Sequence, residues 1–310
     1  MKKEGLAPIV LDAGDLLFTT PTLADSNRES ETFRASSILD DNMTYPFDAI
    51  NVGKYEFAGG LGLLQKLMKK TKSNFISANL RDSNSGRLLF NPYQIIERNG
   101  ITFGVIGLTD MVSEEVDGVL QDDYIVTGDQ YIMKIKNEVD IIVLMINSER
   151  STYSSLTGLF PLANIILTSG STMLTRPMMT QEEKGPFLFS SGREGRYLNR
   201  IDISLSSNDK SFINRSYYEA KIDYYNRRIN RYMDKDLSKP LEILYKDQPN
   251  ILESIEASKK DIKRMGLILQ ESVNTIDFRN VAMDKFIEDD PKVKKFVDET
   301  VDRCAKLRNP

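Results

Sequence analysis

The sequence predicts an α/β (α+β layered) fold. Mixed β-sheets sandwiched with helices are expected over residues 1–206, a helical hairpin arm over 207–272, and over 273–310 an extended segment and a helix packing back on the core. Three observations carry this expectation. Short apolar runs alternate with polar or helical stretches through the first two thirds of the chain. Two of these runs, residues 139–146 and 164–168, are nearly continuously apolar, as strands covered on both faces are. Asn99-Gly100 sits between two further runs and marks a tight hairpin, so the sheet is mixed rather than purely parallel.

The elements follow in order. Residues 8–13 (PIVLDA) read as a buried strand ending at Gly14-Asp15, and 48–53 (DAINVG) as a second. Leu61, Leu64, Leu67 and Met68 recur at helical spacing within 58–71, and the Lys-rich end suits a helix C-terminus. Residues 74–80 (NFISANL) are a third strand, and 93–97 with 101–108 form the hairpin. Residues 186–190 and the alternating 198–205 close the set.

The pattern changes after Ser206. Ser216 and Glu219 have the spacing of a capping box. Tyr218, Ile222, Tyr225, Ile229 and Tyr232 then recur at alternating steps of four and three. Ile251, Ile255, Ser258, Ile262, Met265 and Leu269 repeat the pattern, with Pro240 and Pro249 in the connection. The two helices are expected to pack on each other or on the domain. The other reading is an arm for self-association or a protein partner over 216–272. Asp290-Pro291 supplies an N-cap and first-turn pair. Val293, Phe296, Val297, Val301 and Cys304 form one apolar face of the last helix, which makes Cys304 a small buried hydrophobe.

Composition narrows the chemistry. The chain has 310 residues, no histidine and a single cysteine. No Ser-His-Asp or Cys-His nucleophile, internal disulfide or Cys/His zinc site is possible. A general base must be a carboxylate, Lys, Tyr or water, and any divalent cation (Mg, Mn or Ca) must take oxygen ligands. The net charge is −4, which gives no electrostatic reason to expect nucleic acid. No apolar stretch approaches the roughly 18 residues of a membrane span. Residues 1–4 (MKKE) lead straight into the first expected strand without a secretory signal.

The order of motifs adds a resemblance. Leu11-Asp12-Ala13-Gly14-Asp15, the run 47–57 (FDAINVGKYEF), Ser77-Ala78-Asn79-Leu80, Asn99-Gly100, 104–109 (GVIGLT), 139–144 (VDIIVL), 164–167 (NIIL), and Gly192, Gly195 and Tyr197 followed by 199–204 stand in a recognisable series. Over about residues 6–206 the chain resembles the N-terminal domain of the 5′-nucleotidase branch of the calcineurin-like metallophosphoesterases. A weaker likeness covers the helical pair and the final Asp-Asp-Pro helix. The resemblance implies a site at the C-terminal ends of the strands. There two metal ions hold a phosphate ester and generate a hydroxide nucleophile.

Most of the implied ligands are substituted. Asp15 matches the metal-bridging aspartate. Lys54 stands where the family has a ligand Asn, Tyr55 where it has a catalytic His, and Asn147 where it has a ligand His. Gly170 and Thr172 occupy the two His positions of a Gly-His-x-His motif. The family's first strand, with its Asp-x-His, has no counterpart here. An ammonium repels a cation, and Asp15 with Asn147 falls short of the roughly six oxygens a hard cation takes. Lys54 is therefore expected to replace the metal's charge and pair with Asp15. Glu56 is expected to be a structural hydrogen-bond acceptor. Ser169 and Ser171 are candidate anion contacts, and Arg193 and Arg196 near Gly192 could add phosphate contacts, but a plain polar loop and surface solvation are the favoured readings.

Two function classes follow. One is a catalytically inactive relative kept as a binding or assembly module, with no cofactor. The other is a hydrolase with a rebuilt site, using Asp15, Asn147 and Asp12 or Asp110 around one divalent cation. The resemblance implies export if the natural chain begins upstream, and a cytoplasmic protein otherwise.

Overall fold

In the computed structural model, the described residues are 7–40, 46–181, 183, 185–207, 211–234 and 239–308. They divide into two compact units. The first holds Met1–Leu174, Pro186–Leu198 and Ala282–Pro310, and the second Thr175–Gly185 and Asn199–Val281.

The first unit is built on two main sheets. One is parallel, with order β1-β2-β3, from β1 (Leu11–Asp12), β2 (Ala49–Asn51) and β3 (Phe75–Ile76). Between β1 and β2 comes α1 (Arg28–Ile38), and between β2 and β3 comes α2 (Leu61–Met68). Leu64 and Leu67 of α2 are buried, and they join Ile50, Val52, Phe57 and Ala35 in one apolar cluster. After β3 come β4 (Leu80–Asp82), β5 (Tyr93–Arg98), β6 (Ile101–Thr109) and β7 (Val119–Gln121), and β4 pairs antiparallel with β7. The second main sheet completes with β8 (Ile141–Asn147), β9 (Ile165–Ser169) and β10 (Phe187–Ser190), in the order β10-β9-β8-β6-β5. Its strands are parallel except for the antiparallel β5–β6 hairpin.

The hairpin turn is where the sequence places it. Asn99 and Gly100 both have positive φ, at 52° and 77°, as a two-residue hairpin turn of this type requires. Every residue of β8 is buried, which accounts for its unbroken apolar run. Helices α3 (Tyr124–Ile135) and α4 (Tyr153–Leu159) cover this sheet through Ile132, Ile135, Leu156 and Phe160. Asp123 caps α3, its carboxylate accepting from the Ile125 and Val126 N–H groups. Where β2 and β6 approach, a side chain at Gly107 would sit 2.6 Å from Asn51 Oδ1 and 2.7 Å from the Ile76 carbonyl. The close contact thus depends on the missing Cβ.

The second unit carries β11 (Tyr197–Ser204), β12 (Phe212–Asn214), α5 (Arg215–Met233), α6 (Leu241–Leu244), α7 (Pro249–Glu271) and β13 (Asn274–Ala282). The strands order as β11-β13-β12, and α5 packs on α7. The expected capping box is not formed. Asn214 caps α5 by accepting from the Tyr217 N–H, while Ser216 Oγ accepts from the Phe278 N–H and Glu219 pairs with Arg215. A strand packed beside the helix start has taken the serine that the local pattern assigned to the cap.

The chain returns to the first unit with α8 (Pro291–Leu307), capped by Asp290 and packed on α1. Ser30 Oγ donates to the Cys304 carbonyl at 2.9 Å, and Cys304 Sγ lies 3.5 Å from the Ser30 carbonyl. Cys304 is half-buried rather than enclosed, because α8 lies over α1 at the surface.

Candidate functional site: a hydrogen-bonded polar corner

The site gathers at the C-terminal ends of β1, β2, β8 and β9. The chain leaves β1 through Gly14, at φ 109°, and Asp15, at φ 66°. Asp15 is a non-glycine residue in left-handed backbone, a conformation its environment must stabilise. Glu56 does so. Its fully buried carboxylate accepts from the Asp15 N–H at 2.9 Å, Leu16 at 2.8 Å, Leu17 at 3.2 Å and Gly53 at 2.8 Å. Successive amides converging in this way form an anion nest, and here the chain's own Glu56 fills it. The acceptor role expected for Glu56 is thus realised.

Asp15 points into the corner. Its Oδ1 accepts from the Tyr55 N–H at 2.9 Å, and its Oδ2 from Asn147 Nδ2 at 2.9 Å. Asn147 is fully buried at the end of β8. Its amide also donates to Ser169 Oγ at 2.8 Å, and its carbonyl oxygen accepts from the Lys54 N–H at 3.0 Å and Thr109 Oγ1 at 3.3 Å. Ser169 Oγ in turn donates to the Ala13 carbonyl at 2.7 Å. All four hydrogen-bonding positions of the Asn147 amide are therefore filled by protein groups. Gly53 seals the corner, because a Cβ there would lie 2.8 Å from both Asn147 Cγ and Asp15 Oδ1.

The structure brings Asp15, Asn147, Ser169 and the backbone of Lys54 and Tyr55 together. The expected ion pair between Lys54 and Asp15 is not formed. Lys54 meets the site through its backbone N–H. Its ammonium acts from farther off, drawing the Asp15 carboxyl down, while burial pushes that carboxyl up more strongly. The Tyr55 ring packs on the apolar cluster beside α2, so only its N–H enters the corner. Gly170 turns with φ 87° against the Ser148 carbonyl and Met111. Thr172 is exposed, and Ser171 Oγ accepts locally from the Met173 N–H. Arg193 is exposed in the turn closed by the Arg196 N–H on the Arg193 carbonyl, and Arg196 pairs with Glu194. Among the described residues, no hydrogen bond joins either arginine to Ser169 or Ser171.

Besides Asp15, the carboxylates Asp12 and Glu56 lie close by, and Asp110 stands at the end of β6. Burial and the neighbouring Asp15 push the Asp12 carboxyl up to about 6, against the single N–H that Gly14 offers it. Burial, Asp15 and Asp12 push Glu56 up to about 7, against its backbone donors. Asp110, at the end of β6, is raised by partial burial and by Asp123 and Glu149. Among the described residues, no three Asp, Glu or Cys side chains gather closely enough to hold a metal ion.

Sequence reasoning missed the asparagines that tie the strand ends together. Asn51 Nδ2 donates to the carbonyls of Ala13 and Leu108. Asn79 donates to the carbonyls of Thr109 and Asp122, and its own oxygen accepts from the Thr109 N–H. The available signal was a polar amide inside an apolar run, as in DAINVG and NFISANL.

Comparison with known proteins agrees with this architecture. No family model matches the chain. Over 107 residues it is 33% identical to protein UshA of Salmonella pullorum, covering 34% of this chain and 18% of that protein. Over 109 residues it is 30% identical to a 5′-nucleotidase of Vibrio cholerae, covering 35% and 18% respectively. The aligned segment thus spans about a fifth of the length of these relatives. Among solved structures, the calcineurin-like phosphoesterase YfkN of Bacillus subtilis superposes with a TM-score of 0.59 at 16% identity, over 97% of this chain and 85% of that one. The fold is that of the calcineurin-like phosphoesterases, and the sequence likeness is to the 5′-nucleotidases.

That likeness implies a metal centre, and the residues present do not fit one. Of the implied ligand positions only Asp15 keeps a carboxylate, and both its oxygens already accept hydrogen bonds. Asn147 offers an oxygen that two protein donors occupy. Occupying the corner with a cation would require breaking this net and displacing the Lys54 amide.

Proposed function

We propose that this chain is a non-catalytic relative of the 5′-nucleotidases that serves as a binding or assembly module. The observation that supports this reading is the complete engagement of Asn147. Its amide bridges Asp15 and Ser169, and its oxygen takes the Lys54 N–H and the Thr109 hydroxyl. The polar groups at the strand ends thus bind one another, and the corner works as a structural lock between the two main sheets. With no histidine in the chain, the hydroxide-generating chemistry of the resembled family lacks both its usual ligands and its usual acid.

The test is calorimetric titration of the metal-stripped chain with Mn²⁺, Mg²⁺ and Ca²⁺, followed by a nucleotide hydrolysis assay in each ion. The expected result is neither saturable heat nor phosphate release. Stoichiometric binding at micromolar strength with metal-dependent turnover would establish the rebuilt-site hydrolase instead.

A further inference from the structure

The second unit holds a small cleft at the start of α5. Its volume is about 100 Å³, and Asn214, Tyr217, Tyr218, Glu183, Arg264 and Met265 help to line it. All six belong to that one unit. Asn214 is the N-cap of α5 and Tyr217 stands in the first turn, so the cleft lies at the positive end of a 19-residue helix. Tyr218 and Met265 are buried and give it apolar surface, and the Tyr217 and Tyr218 rings meet edge to face with centroids 5.4 Å apart.

Helix N-termini attract anions in general, and Asn214 makes this one particular. It is only 4% exposed, and its Oδ1 accepts from the Tyr217 N–H at 3.1 Å. Its Nδ2 has no protein partner among the described residues, although a buried amide donor normally has one. A hydrogen-bond donor is thus left over on the wall of the cleft.

Two opposite charges share the cleft without meeting. Among the described residues, no ion pair joins Glu183 to Arg264. The guanidinium instead lies 3.6 Å from Asp261 on the same helix, an exposed pair of little strength. Burial raises the Tyr218 hydroxyl, Glu183 and Tyr217 raise it further, and Arg264 draws it back, so both charges act at one end of one ring.

We infer that this cleft binds a small α-amino acid. The carboxylate meets Arg264, the Asn214 amide and the positive end of α5, and the ammonium meets Glu183. A simple anion would face Glu183 with like charge, and a simple cation would face Arg264. A cavity of roughly 150 Å³ takes a six-carbon ring, so about 100 Å³ suits about five or six non-hydrogen atoms, the size of glycine or alanine. The site is built wholly from the second unit and does not depend on how the strand-end corner is read.

The experiment is calorimetric titration of the full chain with glycine and L-alanine, beside acetate and methylammonium, each of which carries one of the two charges. The expected result is saturable binding of the amino acids with Kd below about 1 mM, and binding of either half weaker by about tenfold or more. Arg264→Met weakens glycine and acetate alike, whereas Glu183→Gln weakens glycine and leaves acetate unchanged. Asn214→Asp keeps a good helix cap but exchanges the free donor for a carboxylate oxygen. It lowers glycine affinity by about tenfold or more, with the circular dichroism spectrum unchanged. No saturable binding of either amino acid, acetate bound as tightly as glycine, or a glycine affinity indifferent to Glu183→Gln overturns the proposal.

Discussion

Asn147 Nδ2 lies 2.9 Å from Asp15 Oδ2, joining positions 132 residues apart in the chain. This one hydrogen bond connects the turn after β1 to the end of β8, and so the smaller parallel sheet to the larger one. Its donor is an amide, so the pairing needs no proton or cation to hold it.

Replacing that amide with a carboxylate tests the lock. Asn147→Asp sets two carboxylates at hydrogen-bonding distance, where both cannot stay ionised. The expected loss is about 1–3 kcal/mol near neutral pH, largely recovered under acid conditions as one of the pair takes a proton. Urea unfolding at the two pH values measures it.

Glu56→Gln keeps the shape of the side chain, changing one carboxylate oxygen to an NH₂, and is expected to cost about 2–3 kcal/mol. The new NH₂ would confront backbone N–H groups that now reach a carboxylate oxygen. The left-handed Asp15 turn should loosen with it, read as faster amide exchange at Asp15, Leu16 and Leu17.

Stability should fall as pH rises. Asp12 at about 6 and Glu56 at about 7 both hold protons more tightly in the folded chain than their ordinary 3.8 and 4.5 allow. Their contribution is whole below those ordinary values and is lost as pH climbs through the raised ones. Thermal melts from about pH 5 to about pH 8 should show a declining Tm. The double variant Asp12→Asn, Glu56→Gln should lose most of that slope.

Gly53→Ala addresses packing alone. Its Cβ would fall 2.8 Å from Asn147 Cγ and Asp15 Oδ1, with no room on that side. About 1–3 kcal/mol of destabilisation is expected, whereas Gly100→Ala meets no atom and is strained only by its φ of 77°. Comparing the two melts separates crowding from backbone strain.

The fold was legible where periodicity is strong. The run at β8 and the Asn-Gly turn of the β5–β6 hairpin each announce one structure, because burial on both faces and positive φ have few alternatives. Helix α1 gave no such signal: of RESETFRASSI only Ser30 and Ala35 are buried, so its apolar spacing is too sparse to read. The site was legible by residue but not by contact. Asp15 and Asn147 do meet. Lys54 turned out to act through its amide, and sequence carries no sign of which end of a lysine faces inward. The nest around Glu56 was invisible for a related reason: it is made of backbone, whose direction depends on a φ that only the finished turn fixes.

The contact between Ser30 and Cys304 bridges 274 residues, so α1 has no α8 to lean on while the ribosome is still at work. At about 5–20 residues per second, roughly 15–50 s separate synthesis of the two halves of that contact. The nascent first unit must therefore emerge with one flank bare, and that interval is when a chaperone would find it.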